Sequence, residues 1–177
     1  MDLENFLTQH KSPILKKWFN SILATYPAET VMMLKREKNQ FANPVGSTIY
    51  QGMEKLYQEL ITDINEEAIS PFLDRIVRIR AIQDFSPSRA VAFAFDLKRL
   101  VREQMEEAAN PDDRLTTKDL NTFDERIDQL AMLAFDIYVQ CREKLYELRV
   151  NEVKNRTHRL LQRANLLVEI PEQEPES

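Results

Sequence analysis

Three polar residues interrupt an otherwise apolar helix face, and they are the side chains best placed to do chemistry. Helix spacing of about 100° per residue puts Arg80 at the centre of the face formed by residues 72–85, with Gln83 and Asp84 on either side. Arg80 and Asp84 are four residues apart, so they can pair along the helix. Such a group is either a buried pair that fixes helix register or a site that receives a ligand or a partner. The spacing leaves both interpretations open.

The chain offers few other reactive side chains. His10, His158 and the single cysteine, Cys141, are far apart in the sequence, and neither CxxC, HExxH nor Glu-x-x-His occurs, so zinc and di-iron sites are not indicated. Two glycines cannot build a glycine-rich phosphate loop. Neither histidine has the buried helical setting that a haem ligand needs. We therefore expect no enzymatic activity, no metal and no cofactor.

The composition indicates an all-α protein. Two glycines among 177 residues are too few for the turns of hairpins and sandwiches, so we predict a multi-helix bundle with a long C-terminal helix. No segment approaches the ~20 apolar residues of a membrane span, and the start Met1–Glu4 lacks the basic residues of a signal peptide. One cysteine fits a reducing compartment. We expect a cytoplasmic protein without membrane insertion.

Proline and capping residues predict where the helices begin. Ser12-Pro13, Ser70-Pro71 and Ser86-Pro87 each place a serine cap before a proline at the first helical position. The segment Asn43–Ser47 reads as a turn whose Ser47 caps the next helix. The segment Thr122–Glu125 reads as a capping box.

Two motifs carry a resemblance to a known family. The run from Ile79 to Val91, IRAIQDFSPSRAV, resembles the signature of the RsbRD-type N-terminal domain family, and Asn43–Ile49 is similar to an earlier motif of that family. The likeness covers residues 5–110 well and the next helix loosely. It implies a regulatory domain that senses a ligand or partner, usually ahead of an output module in bacterial stress regulators or sensor histidine kinases. The related co-antagonists imply a globin-like helical fold without haem, here expected as a stand-alone protein.

A stretch free of proline and glycine predicts one long helix from about Phe123 to Val168. Its apolar seam has two registers, one that ends at Leu148 and one that starts at Val150 and repeats in a 3-4 heptad spacing. We therefore predict three segments. Residues 1–148 form a helical sensor-like domain, residues 149–168 a helical extension with a heptad pattern, and residues 169–177 a disordered acidic tail.

Two sets of apolar residues are predicted to form interfaces. Val91 and Phe95 lie on a second side of the helix that starts at Pro87, which either helices of the same subunit or a second subunit could cover. The second set is the heptad seam, with Val150, Val153, Leu160 and Leu167. We predict a homodimer through this seam, and the alternative is a helix folded back on its own domain.

The charge balance bears on the kind of partner. Residues 142–163 carry seven Lys and Arg against three Glu, a net charge of +4, whereas the whole chain has a net charge of −5. Because the basic residues are mixed with glutamates, we expect no nucleic-acid binding. The sequence favours a non-enzymatic regulatory or sensory domain that acts through protein–protein contacts in bacterial signalling. The alternative is a scaffold or accessory subunit that docks on a partner complex through its long C-terminal helix.

Overall fold

The computed structural model describes residues 2–36, 43–62, 64–108, 115–164 and 166. All regular structure within these ranges is helical, which confirms the predicted all-α multi-helix bundle. The helices are α1 (Leu3–Gln9), α2 (Lys11–Leu23), α3 (Ala28–Arg36), α4 (Pro44–Ile61), α5 (Glu66–Ile82), α6 (Pro87–Glu107) and α7 (Thr117–Arg163). The chain divides into two compact units, Met1–Cys141 and Arg142–Ser177. The globin-like arrangement remains a prediction.

Large side chains from most helices fill the core of the first unit. Helix α4 packs on α5, and α2 packs on α6. Trp18 and Phe93 are fully buried between α2 and α6, and the Trp18 indole Nε1 donates to the Phe93 carbonyl at 2.6 Å. Tyr57 on α4 is also buried, and its hydroxyl donates to the Leu7 carbonyl at 2.9 Å. Both of these buried donors have a backbone carbonyl as acceptor, which offsets the loss of their hydrogen bonds to water.

Helix α4 begins earlier than predicted, because Asn43 rather than Ser47 is its cap. The Asn43 Oδ1 accepts from the Gly46 backbone N–H at 2.9 Å, and Pro44 occupies the first turn. A Cβ on Gly46 would clash with the Asn43 side chain. Asparagine and glycine three residues apart therefore form one capping unit.

Helix α5 also begins earlier than predicted. The Asn65 Oδ1 accepts from the Ala68 N–H at 3.2 Å, so the helix starts at Glu66 and Pro71 lies inside it. Proline leaves the carbonyl four residues back, that of Glu67, without its helical donor. Pro71 and Glu67 are both exposed, so water can reach that carbonyl. The Ser86-Pro87 start of α6 is confirmed. The predicted Ser12-Pro13 start is wrong, because α2 begins at Lys11 and Ser12 lies inside it.

The capping box of α7 lies six residues before the predicted one. The Thr116 Oγ1 accepts from the Asp119 N–H at 3.2 Å, and the Asp119 Oδ2 accepts from the Thr116 N–H at 3.1 Å. Threonine and aspartate exchange hydrogen bonds as in any capping box, whereas the predicted Thr122–Glu125 lies inside the helix. The described helix ends at Arg163. The predicted end at Val168 is therefore wrong, because residues 164 and 166 are described and are not helical. Leu167 and the tail 169–177 lie outside the described residues.

Candidate functional site

Arg80 occupies the junction between α5, α6 and the end of α2, and it is fully buried. Its Nε donates to the Ala90 carbonyl at 3.1 Å and its Nη2 donates to the Arg89 carbonyl at 2.6 Å. Its Nη1 donates to the Thr25 hydroxyl at 3.2 Å. The guanidinium therefore ties α5 to the first turn of α6 and to the residues after α2, using three of its five N–H donors.

Two aromatic rings lie next to the guanidinium of Arg80. The Arg80 Cζ lies 4.3 Å from the Phe85 ring centre and 5.8 Å from that of Tyr26. Burial lowers the pKa of Arg80, and the neighbouring Tyr26 partly offsets this. Arginine nevertheless stays protonated at any ordinary pH. The charge is held by neutral acceptors and ring faces, which are weaker partners than a carboxylate.

Gln83 and Asp84 do not join Arg80 in a buried group, so this part of the predicted site is wrong. Helix α5 ends at Ile82, and both residues are exposed in the turn that follows. Asp84 has a φ of 56°, a left-handed conformation that aspartate tolerates better than most residues. The chain must reverse between Ile82 and Pro87, and this turn removes both side chains from the helix face on which the helical spacing placed them. The three hydrogen bonds of Arg80 go elsewhere.

The turn nevertheless borders an open cleft of about 510 Å³ next to the arginine junction. Gln83 and Asp84 line it together with Thr25, Tyr26, Pro27, Thr30, Phe85 and Arg89. Arg89 donates to the Thr25 carbonyl at 3.0 Å, and its Cζ lies 4.9 Å from the Phe85 ring centre. The cleft and the buried guanidinium thus share Thr25, Tyr26 and Phe85 as neighbours.

Sequence reasoning missed Thr25, Tyr26 and Arg89. Burial raises the pKa of Tyr26, and the positive charge of Arg80 works against that rise. Thr25 and Tyr26 lie more than fifty residues before Arg80, and two of the acceptors are backbone carbonyls, which no residue pattern reveals. Arg89 carried a signal, because it belongs to the same 79–91 motif.

The predicted interface residues of α6 have different environments. Val91 is buried, whereas Phe95 is 47% exposed. Both line a cleft of about 780 Å³ that Phe135 of α7 also borders. Phe135 is 42% exposed and Met132 is 65% exposed. Helices of the same unit therefore cover Val91 and leave the rest of this side to solvent.

The heptad residues of the second unit are exposed. Val150 and Leu160 are at least half exposed, and Val153 is 63% exposed. The predicted residue Leu167 lies outside the described residues. Apolar side chains at heptad spacing, exposed on a helix, are an unpaired seam of the kind that a coiled-coil partner covers.

The described residues contain neither a cluster of metal-ligand side chains nor a helix that could span a membrane. In those ranges no three histidine, cysteine, aspartate or glutamate side chains are grouped so that they could hold a metal ion. None of the helices there combines the length and the apolar character needed to cross a membrane.

The chain is thus an all-α domain in which a buried arginine connects α5 to α6 and to the residues after α2, and in which the last helix is long. The family described as the RsbT co-antagonist protein rsbRD N-terminal domain matches residues 12–153. The chain belongs to this family, as the resemblance predicted, and the family implies a stress-signalling regulatory domain. The match extends well into α7, beyond the 5–110 that the motifs covered.

One relative is an archaeal protein. It comes from Archaeoglobus fulgidus, is named "Uncharacterized protein", and is 24% identical over 143 residues, which cover 80% of this chain and 83% of the relative. No solved structure matches the chain.

Proposed function

We propose that this chain is a non-enzymatic regulatory domain that acts through protein–protein contacts and forms a homodimer through the second half of α7. One observation carries the proposal: Val150, Val153 and Leu160 are exposed at heptad spacing. Family membership supports the regulatory part, because the family is that of a co-antagonist's N-terminal domain.

The exposure of the seam argues for a partner helix. From Val150 to Leu160 the seam spans about one and a half heptads, and its apolar side chains are exposed on α7. Pairing with the same seam of a second copy buries these side chains as knobs in holes. At roughly 25 cal/mol per Å² of apolar surface, several valine and leucine side chains at such a contact provide much of the driving force for association.

The non-enzymatic part of the proposal is supported by the chemistry of the candidate nucleophile. Cys141 is buried, and burial raises the pKa of its thiol. A thiol that resists ionisation is a poor nucleophile. His10 packs against Phe6 with the two rings tilted by 41° and their centres 4.5 Å apart, and His158 is exposed. Neither histidine has the partners of a general base.

The sensory part of the proposal concerns the cleft beside Arg80. The volume of this cleft, about 510 Å³, lies within the range of small-molecule pockets. A small molecule bound there would touch Phe85 and Arg89, which in turn contact or bond the elements that Arg80 holds. Binding there would change the relative stability of the α5–α6 junction, which is the coupling that a sensor needs.

A scaffold or accessory subunit is the second candidate, and the basic character of residues 142–163 favours it. Seven Lys and Arg against three Glu on this segment would complement an acidic surface of a partner complex. Such a protein would use the same helix but would have no ligand.

Sedimentation equilibrium on the full chain tests the dimer. We expect a dimer for the natural chain and at least about tenfold weaker association for Val153→Glu, because a buried charge replaces an apolar knob. Asn151→Glu, on another side of the same helix turn, is the matched control and should associate as the natural chain does. A monomeric natural chain contradicts the proposal.

Thermal unfolding with a library of small metabolites separates the sensor from the scaffold, because only the sensor is stabilised by a ligand.

A further inference from the structure

The outward side of α6 and α7 in the first unit exposes large apolar side chains that its own helices leave uncovered. We call Phe95, Met132 and Phe135, with the buried Val91 at their base, the outer face. Phe95, Phe135 and Val91 line the 780 Å³ cleft between the two helices. Met132 lies three residues before Phe135 and therefore on the same side of α7. Monomeric proteins rarely leave several large apolar side chains together on one surface.

The sequence spacing of the outer face leads directly into the heptad seam. Starting at Met132 and Phe135, apolar or long side chains recur at Val139, Arg142 and Tyr146, in steps of three and four. The next step of four reaches Val150, the first residue of the seam. Two successive steps of four, from residue 142 to residue 150, amount to a stutter, which is an insertion of four residues into the seven-residue repeat. The spacing in the sequence thus extends the second predicted register, which starts at Val150, back to Met132.

The charges around the outer face favour a copy of the same chain over a strongly acidic or basic partner. The two charged residues that line the cleft are Asp96 and Arg99, and the Arg99 guanidinium lies 3.8 Å from the Asp96 carboxylate and 2.5 Å from that of Glu103. Both signs of charge therefore border the cleft. A two-fold symmetric interface needs both signs on one surface, because each subunit presents the same patch to the other. An apolar centre with a balanced polar rim is the usual composition of such an interface.

The two helices that carry the outer face are held together before any partner binds. Lys98 on α6 pairs with Asp128 on α7 at 2.6 Å, and Arg102 pairs with Asp124 at 2.6 Å. Arg102 makes two hydrogen bonds to that carboxylate, which fixes its geometry. A preformed face loses less conformational freedom on association.

We propose that the outer face binds the outer face of a second copy of this chain. This inference deepens the proposed function and rests on the pairing of two α7 helices, but it assigns to the interface residues of the first unit, in addition to those of the seam. The homodimer then has two contact regions, and the regulatory domain itself takes part in the assembly.

The test uses the full chain and compares four single substitutions by sedimentation equilibrium, with circular dichroism to confirm helix content. Phe95→Glu and Phe135→Glu place a charge in the outer face, and Val153→Glu places one in the seam. Gln140→Glu adds the same charge at an exposed position on another side of α7. Because Phe95 and Phe135 are exposed in the single chain, both variants should keep the fold.

If the inference holds, Phe95→Glu and Phe135→Glu each raise the dimer dissociation constant at least about tenfold, and Gln140→Glu leaves it unchanged. If both phenylalanine variants behave as Gln140→Glu while Val153→Glu weakens the dimer, the outer face is overturned and the proposed seam stands. If only the phenylalanine variants weaken the dimer, the outer face stands and the seam fails. A natural chain that is monomeric overturns both.

Discussion

The arginine junction and the second half of α7 place their side chains in opposite ways. At the junction a charged group, Arg80, is fully buried. In the second half of α7, Val150, Val153 and Leu160 are exposed. Burying a charge and exposing apolar side chains are both unfavourable in isolation, so each region needs a compensating partner.

The two regions differ in where that partner lies. Arg80 finds its acceptors inside its own unit, in two carbonyls of α6 and the hydroxyl of Thr25. Among the described residues none covers Val150, Val153 and Leu160, and we propose that a second chain does. An unusual residue whose polar or apolar groups find partners within the fold contributes to stability, whereas one that the fold leaves exposed is a candidate for a contact with another chain.

The largest expected effect comes from truncating the buried arginine. Arg80→Ala should lower the free energy of unfolding by about 3–5 kcal/mol, because it leaves buried acceptors without a donor and opens a cavity. Arg78→Ala, which removes an exposed i,i+4 ion pair with Asp74, should cost under about 0.5 kcal/mol. Urea melts of both variants measure the difference. Equal losses would show that Arg80 is not satisfied as described.

A second substitution keeps the charge and removes the fork of donors. Arg80→Lys should lower the free energy of unfolding by about 2 kcal/mol, because one ammonium cannot reach Ala90, Arg89 and Thr25 together. The same urea melts apply. A lysine variant as stable as the natural chain would show that the positive charge, and not the hydrogen-bond geometry, stabilises the junction.

A buried tyrosine gives a pH-dependent test of interior polar groups. Burial raises the pKa of Tyr57, so the unfolded chain ionises first, near pH 10. The contribution of Tyr57 to stability is therefore complete below about pH 10 and is lost as the pH rises above it. Tyr57→Phe should cost about 1 kcal/mol at neutral pH through the lost bond to Leu7 and should weaken the decline in alkali.

Thermal melts between neutral and strongly alkaline pH make this comparison, with Tyr50→Phe as the control. Tyr50 is 40% exposed, so its substitution should leave the alkaline decline as it is in the natural chain. An unchanged decline in the Tyr57 variant would mean that other groups cause it.

The smallest effect on stability is expected in the exposed seam. Val153→Gln should change the free energy of unfolding by less than about 0.5 kcal/mol at concentrations where the chain is monomeric. Val77→Ala, in the core of α5, should cost about 2 kcal/mol under the same conditions. A large loss for Val153→Gln in a monomer would show that the seam is covered within one chain.

Much of the fold was predictable from local signals. The scarcity of glycine indicated helices, and Ser86-Pro87 marked the start of α6 correctly. The errors lie at helix starts where two capping signals compete. Asn43, Asn65 and Thr116 each cap a helix before the serine or threonine that a proline or an acidic residue had made prominent. Which of two nearby caps is used depends on how the whole helix packs, because capping contributes only about 1 kcal/mol.

The candidate site was predictable only in part. The helical spacing correctly identified Arg80 as the unusual residue, since arginine at the centre of an apolar face must be buried. It placed Gln83 and Asp84 beside Arg80 by extending a helix that ends at Ile82. The spacing could not predict that Thr25 and Tyr26 lie next to Arg80, because the packing of α2 brings them there.

By itself, the sequence determined the helical class, the family and the apolar periodicity of α7, because these depend on residue type and on spacing along one chain. The tertiary structure decided which carbonyls hold Arg80, that Asp84 lies in a left-handed turn, and that Phe95 and Phe135 border one cleft. These facts depend on where separate helices meet. Hydrogen-bond acceptors on the backbone carry no residue signature, so only the packed chain reveals them.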